Sequence, residues 1–274
     1  MPPGGKPTSQ ARQNWSTNMT GPREQALRRA ANLLLDARRT GSTLADLPAH
    51  TMPDDIAEAC FVQDVIAASF GPIGGWKIGA AAPDATPLFA PMPAAWMGAN
   101  GAILRGPRWR LRGIEAEIAF LVGEDLPPRP TPYTREEVLA AMASCHPAIE
   151  VLESGLTDPG QAARNAAQAD LQVHGGFVPG PPVPDWHAID FSQEAVSVAV
   201  DGMLRVERTG SNTSGDLVRL LPWLANEGAA RTGGLRRGQW ITTGSWTGST
   251  PAGPASGVTV RFGSAGEVTL RFES

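Results

Sequence analysis

The hydrophobic period of the chain changes once, at the Gly74–Gly75 pair, and that change limits the fold more than any other feature. Upstream, the run GPREQALRRAANLLLDARRTG places Ala26, Ala30, Leu33, Leu34 and Ala37 at helical spacing, with Pro22 suited to a first turn and Gly41 to a C-terminal cap. A connector containing Pro and Thr leads to a second helical run, IAEACFVQDVIAASFG, with Asp54 or Asp55 as its cap and Gly71 as its end. Downstream, short segments of strand composition recur, punctuated by Gly, Pro and Asp: GWKIGA, AILRG, IEAEIAFLVG, AIEVLES, GGFVPG, AVSVAVDG, QWITTGS, GVTVRFG and EVTLRF. Helical patterns interrupt this region only near residues 134–145 and 214–233. Strands that cluster instead of alternating with helices predict an α+β protein and argue against a doubly wound parallel sheet. The chain divides accordingly into a flexible N-terminal tail (1–21), a helical N-terminal region (22–73) and a β-rich domain (74–274).

Composition narrows the function class. A formal net charge of -4, with no Lys/Arg cluster interleaved with aromatics, argues against a nucleic-acid binder. Cys60 and Cys145 are the only cysteines, too few for a disulfide framework and not in a metal-type spacing. No apolar run reaches the length of a membrane span, so no membrane association is expected. The first twenty residues are polar and lack a secretory apolar core, which makes a cytoplasmic protein the expectation.

Chemistry enters with RGIEAEIAFLVG. Strand alternation puts Glu115 and Glu117 on one face and Ile114, Ala116, Ile118 and Phe120 on the other. An isolated Glu-x-Glu is most simply the wet side of a strand. Here, however, the strand turns apolar on both faces after Glu117, and a further acid, Glu150, stands inside the apolar run PAIEVLES. Three carboxylates in one partly buried pocket would raise one another's pKa values, and a hard divalent cation removes that conflict. Spacing alone makes a metal site suggestive and no more.

The runs GWKIGA, IEAEIAF, PAIEVLES, QADLQVHGGFVPG and LLPWLANEGAARTGGLRRGQWITTGSWTG occur in an order and at separations that resemble a known family. It is the 2-keto-4-pentenoate hydratase / 2-oxo-3-hexenedioate decarboxylase branch of the fumarylacetoacetate hydrolase (FAH) superfamily. The resemblance covers most of residues 22–272, including the helical start LLLDARRTG. It implies an FAH-like mixed β-roll or β-sandwich with a helical N-terminal region, assembled as a homo-oligomer, a dimer or larger. It implies Mg²⁺ or Mn²⁺ held by Glu115, Glu117 and Glu150, and a small 2-oxo or 2-hydroxydienoic acid as substrate.

Other candidates follow. Lys77, on an otherwise apolar strand, either snorkels to water or faces a partner. The resemblance implies the second, a lysine paired with a substrate carboxylate or with a metal ligand. Asp170 fits a turn or cap as well as a catalytic role, and His174 fits an acid–base group as well as a packed ring. In TTGSWTGS, Ser245 and Thr247 offer hydroxyls, and Gly244 lets backbone N–H groups approach an anion. The resemblance implies that this loop meets substrate. Trp76, Trp96 and Trp246 fit an aromatic lining or core packing equally.

One position departs from the family pattern. Many of its hydratases carry an acid shortly after the lysine motif, where TPLFAPM here has Leu88, as decarboxylase relatives tend to. The primary expectation is a metal-dependent lyase adding water to a 2-hydroxydienoate or 2-oxo-enoate through a metal-stabilised enolate. The alternative is decarboxylation of a 2-oxo-3-enedioate. An FAH-type C–C hydrolase or a non-catalytic relative stands behind both.

Overall fold

Pro22 opens helix α1 (Pro22–Thr40), whose stripe of Ala26, Leu27, Ala30, Ala31, Leu34 and Ala37 is buried, while Leu33 is only half-buried. Gly41 takes the left-handed conformation (φ 76°), and its N–H donates to the Ala37 carbonyl, which ends the helix. Asp55 caps α2 (Ile56–Ala68) by accepting from the Glu58 N–H. The two helices form a small core with Leu156, Ala166, Ala169, Leu171 and Trp96. A computed structural model describes residues 20–273, so most of the expected tail, residues 1–19, lies outside the described residues.

The remainder is built from two sheets. The strands are β1 (Ile73–Gly79), β2 (Leu88–Pro93), β3 (Ala102–Arg105), β4 (Gly113–Val122), β5 (Met142–Leu152) and β6 (His174–Pro179). They continue as β7 (Ala195–Val200), β8 (Met203–Thr209), β9 (Trp240–Thr242), β10 (Thr250–Pro251), β11 (Gly257–Phe262) and β12 (Gly266–Glu273). The first sheet runs β2-β1-β9-β4-β5-β6, with β10 also paired to β4, and the second runs β3-β12-β11-β7-β8. Pairing is antiparallel except for β1 with β9 and β3 with β12, so both sheets are mixed. Residues of β5 and β6 meet β11 and β12 across the interior, and Phe120, Ile149, Val151, Val260, Val268 and Phe272 share one core. The fold is α+β, with helices followed by two mixed sheets.

Several expected boundaries move. The helix read across 134–145 stops early: α3 (Arg135–Ala140) has a capping box between Thr134 and Glu137, and β5 already begins at Met142. Pairing of Met142 with Val122 and of Ser144 with Leu121 overrides the helical preference of Ala and Met. Residues 217–232 are helical throughout but change winding repeatedly around α5 (Leu220–Trp223), which contains Pro222. Strand β2 escaped notice because Pro91 and Pro93 speak against a strand, yet it lies at a sheet edge, where proline is tolerated. Edge strand β8 shows almost no burial alternation, so it has no period to read.

Candidate metal centre

Register on the first sheet gathers the charged residues. Glu115 of β4 pairs directly with Glu150 of β5, and Glu117 follows two residues along the same face. Ala119, two further on, pairs with Thr242 of β9, which in turn pairs with Lys77 of β1. Paired residues share a face, so Lys77, Thr242, Glu117, Glu115 and Glu150 form one patch although four strands supply them. One carboxylate oxygen from each of Glu115, Glu117 and Glu150 lies within 4.8 Å of the others.

Like charges this close need compensation, and the sheet provides only part of it. Lys77 Nζ lies 2.7 Å from Glu150 Oε1, and His174 Nδ1 donates to that same oxygen at 2.8 Å. Burial opposes the ammonium of Lys77, but the three acids outweigh it and raise its pKa. Burial likewise opposes the Glu150 carboxylate, yet Lys77 and His174 hold it down at about 2. Burial, with Lys77 and Arg38 adding to it against the pull of Glu150, lowers the His174 pKa. The ring is therefore neutral, with its proton on Nδ1 facing Glu150.

The other two acids are left in conflict. Burial, and then Glu150, push Glu115 up to about 7, with Lys77 pulling the other way. Burial together with Glu150 and Glu115 pushes Glu117 well above the carboxylate range. Glu150 Oε2 is buried without a hydrogen-bond partner. Two acids driven toward protonation and one orphaned oxygen fit a hard divalent cation held by oxygen ligands.

Main-chain and hydroxyl donors fix Glu117. Its Oε2 accepts from the Thr242 hydroxyl and from the Gly244 N–H at 2.8 Å. Gly244 has φ 91°, a conformation that favours glycine, and a Cβ there would stand 3.4 Å from the Gly79 Cα. The N–H read from the sequence as an anion donor for substrate is thus given to Glu117. Ser245 interacts with Glu115, and the Thr247 hydroxyl accepts from the Ala116 N–H at 3.4 Å, so the loop borders the acids. Thr242 was missed because a threonine in QWITTGS reads as strand propensity.

Of the two readings open for Asp170, a turn or cap and a catalytic group, its contacts are those of the first. It is fully buried, its Oδ1 is ion-paired with Arg38 Nε at 2.6 Å, and its Oδ2 accepts from the Ser154 hydroxyl and the Gly155 N–H. Both oxygens are thus engaged by groups other than the three glutamates. Arg38 was passed over because a basic residue in the last turn of a helix ordinarily faces solvent. His174 and Lys77 do stand beside the acids, joined through Glu150 and through the Gln172 carbonyl, which accepts from Lys77 Nζ at 2.9 Å.

The segment carrying that carbonyl is unusual. Leu171, Gln172 and Val173 all have positive φ (52°, 52° and 64°) without a glycine among them. Each such residue costs about 1–2 kcal/mol. Trp76 and Trp246 are core residues, while Trp96 stacks against the His174 ring with centroids 5.9 Å apart. Leu88 opens β2 opposite Gly79.

No protein-family model matches the chain. Among characterised proteins, a 2-hydroxyhexa-2,4-dienoate hydratase of Comamonas testosteroni is 30% identical over 138 residues, 50% of this chain and 51% of that protein. That match therefore spans about half the length of the hydratase. Among solved structures, 4-oxalocrotonate decarboxylase from Pseudomonas putida G7 superposes over 93% of this chain and 100% of its own. Its complex with magnesium and adipate gives a TM-score of 0.79 at 24% identity, and its complex with calcium and acetate 0.76 at 25%. A fumarylacetoacetate hydrolase family protein from Yersinia pestis CO92 gives 0.57 at 17% identity, over 73% of this chain and 93% of its own.

Proposed function

We propose that the chain is a member of the fumarylacetoacetate hydrolase superfamily and a divalent-metal-dependent lyase that adds water to a 2-hydroxydienoate or 2-oxo-enoate, a reading supported by its likeness to the hydratase and to the decarboxylase. The observation that carries this reading is the triad of Glu115, Glu117 and Glu150 on one sheet face, with two acids pushed toward protonation and an orphaned Glu150 oxygen. Those three residues would hold Mg²⁺ or Mn²⁺. Such an ion supplies a Lewis acid that withdraws electrons from a 2-oxo acid and acidifies its neighbouring carbon.

The chain's own residues do the rest. Lys77 keeps Glu150 ionised and available as a ligand. His174, neutral and donating through Nδ1, gives the same carboxylate oxygen a second donor, and its Nε2 makes no hydrogen bond. Thr242 and the Gly244 N–H hold Glu117 in its ligand position. Ser245 and Thr247 border the acids and are the groups we assign to substrate contact.

A second reading, decarboxylation of a 2-oxo-3-enedioate, draws support from Leu88, which stands where the resemblance places an acid in the hydratases. Self-association is read from edge strand β8, where Met203 and Leu204 are 56% and 60% exposed. The two buried free cysteines suit a reducing, cytoplasmic setting.

Ultraviolet monitoring of 2-hydroxypenta-2,4-dienoate and of 2-oxo-3-hexenedioate with Mg²⁺ or Mn²⁺, coupled to CO₂ detection, tests both readings. Consumption of the dienoate without CO₂ supports the hydratase. CO₂ release from the enedioate supports the decarboxylase. Turnover of neither by metal-loaded protein refutes both.

A further inference from the structure

We propose that Arg38 and Asp170 are positioning residues for Lys77 and His174, which makes the last turn of helix α1 part of the working geometry of the metal site. The consequence for turnover rests on the lyase reading above, whereas the contacts that carry the inference do not.

Leu171, Gln172 and Val173 form three successive left-handed residues, and the last is β-branched, the type least suited to that conformation. A segment like this persists only where its surroundings over-determine it. The two residues that flank it, Asp170 and His174, are both held by one guanidinium. Arg38 Nε donates to Asp170 Oδ1 at 2.6 Å, and its Nη2 donates to the Asp170 carbonyl at 3.0 Å. Its Nη1 donates to the His174 carbonyl at 3.0 Å, and Nη2 also reaches the Glu153 carbonyl at 3.0 Å. Only 7% of the Arg38 side chain is exposed, so water does not substitute for these contacts.

What the pinned turn presents explains why its strain is retained. The Gln172 carbonyl accepts from Lys77 Nζ at 2.9 Å, and the same ammonium lies 2.7 Å from Glu150 Oε1. The turn's last step delivers the His174 ring, whose Nδ1 donates to that same Glu150 oxygen. Relaxing Gln172 to a right-handed conformation would rotate its carbonyl away from Lys77 and change the exit direction of His174. The three acids stand on β4 and β5, and the clamp meets that sheet only just past the end of β5, at Glu153, so it bears on Glu150 chiefly through Lys77 and His174.

The sequence holds two lysines, Lys6 and Lys77, which makes the ammonium of interest directly observable. The experiment records ¹⁵Nζ spectra of ¹⁵N-lysine-labelled protein, with Lys6→Arg to assign the signals, alongside kcat, KM and Mn²⁺ affinity. Asp170→Asn keeps the size of the side chain and removes the ion pair. Arg38→Met with Asp170→Leu removes both charges, the change best tolerated at a buried pair, and keeps the test open if Asp170→Asn alone does not fold.

We expect the Lys77 signal to shift or broaden, kcat to fall about 10- to 100-fold, and KM to stay within about threefold of the parent, as misplacement of a reacting-site group predicts. Mn²⁺ affinity should fall by less than kcat does, because the three acids keep their strands and only the Lys77 and His174 contacts to Glu150 are disturbed. A purely structural tie would lower the melting temperature and leave the Lys77 signal and kcat of the folded fraction unchanged. That result overturns the proposal, as does a shifted Lys77 signal with parental kcat. If the parent protein turns over neither substrate while its Lys77 signal still responds to the substitutions, the lyase reading fails and the positioning contact stands.

Discussion

Divalent-cation binding to this protein should expel protons and weaken as the solution is acidified. Glu115 sits at about 7 because burial and then Glu150 disfavour its charge, and Glu117 is raised well above the carboxylate range by burial, Glu150 and Glu115. At a pKa of about 7, Glu115 is roughly nine-tenths protonated at about pH 6 and roughly one-tenth protonated at about pH 8. A ligand carboxylate must be ionised, so binding at the lower pH has to displace that proton. One such proton weakens apparent affinity about tenfold between about pH 8 and about pH 6, which is about 1.4 kcal/mol. Glu117 adds a second factor of the same sign. Glu150 adds none, since Lys77 and His174 hold it ionised down to about 2.

The same shifts set the stability of the metal-free protein. Glu115 and Glu117 bind protons more tightly folded than unfolded, so their contribution is present below about pH 4.5 and is lost as pH rises through about 7 and beyond. Glu150 acts oppositely, stabilising above about pH 4.5 and losing that contribution as pH falls toward about 2. Isothermal titration of Mn²⁺ into metal-free protein, in buffers of low and high ionisation enthalpy, gives both the affinity and the proton count. An affinity that changes less than about twofold over this range, with no proton released, would refute the electrostatic account of the site.

Three further outcomes are expected. Lys77→Met leaves Glu150 buried beside two other acids and should destabilise the metal-free protein by about 3–5 kcal/mol in urea unfolding, with Mn²⁺ recovering much of the loss; a loss below about 1 kcal/mol would contradict the pairing. Thr242→Val removes a hydroxyl donor from Glu117 and should weaken Mn²⁺ binding about fivefold, equivalent to about 1 kcal/mol, as read by titration. Gly244→Ala forces a side chain into φ 91° and should cost about 1–3 kcal/mol in thermal unfolding, whereas an unchanged melting temperature would show that the loop relaxes freely.

Much of the site was legible because strand alternation is local. The spacing of Glu115 and Glu117 fixed their common face, and the apolar run around Glu150 marked it as out of place. That Glu115 stands opposite Glu150 was not legible, since register depends on a partner strand that the local pattern does not specify. Thr242 carried no signal beyond strand propensity. Arg38 stands in the last turn of α1, where a basic residue ordinarily meets solvent, and its partner Asp170 lies 132 residues away. The left-handed turn at Leu171, Gln172 and Val173 was hidden because none of these residues advertises positive φ. In the fold, the helical stripe of α1 and the caps at Gly41 and Asp55 follow from short-range chemistry, whereas edge strands β2 and β8 lack the alternation that burial imposes.

Glu115, Glu117 and Glu150 would act together as the ligands of one divalent cation. Crystals of the protein equilibrated with Mn²⁺, measured at a wavelength where manganese scatters anomalously, test it directly. One dominant anomalous peak in contact with carboxylate oxygens of all three residues is expected, and it should be lost in Glu117→Ala crystals. A dominant peak elsewhere, or one that survives that substitution unchanged, would contradict it.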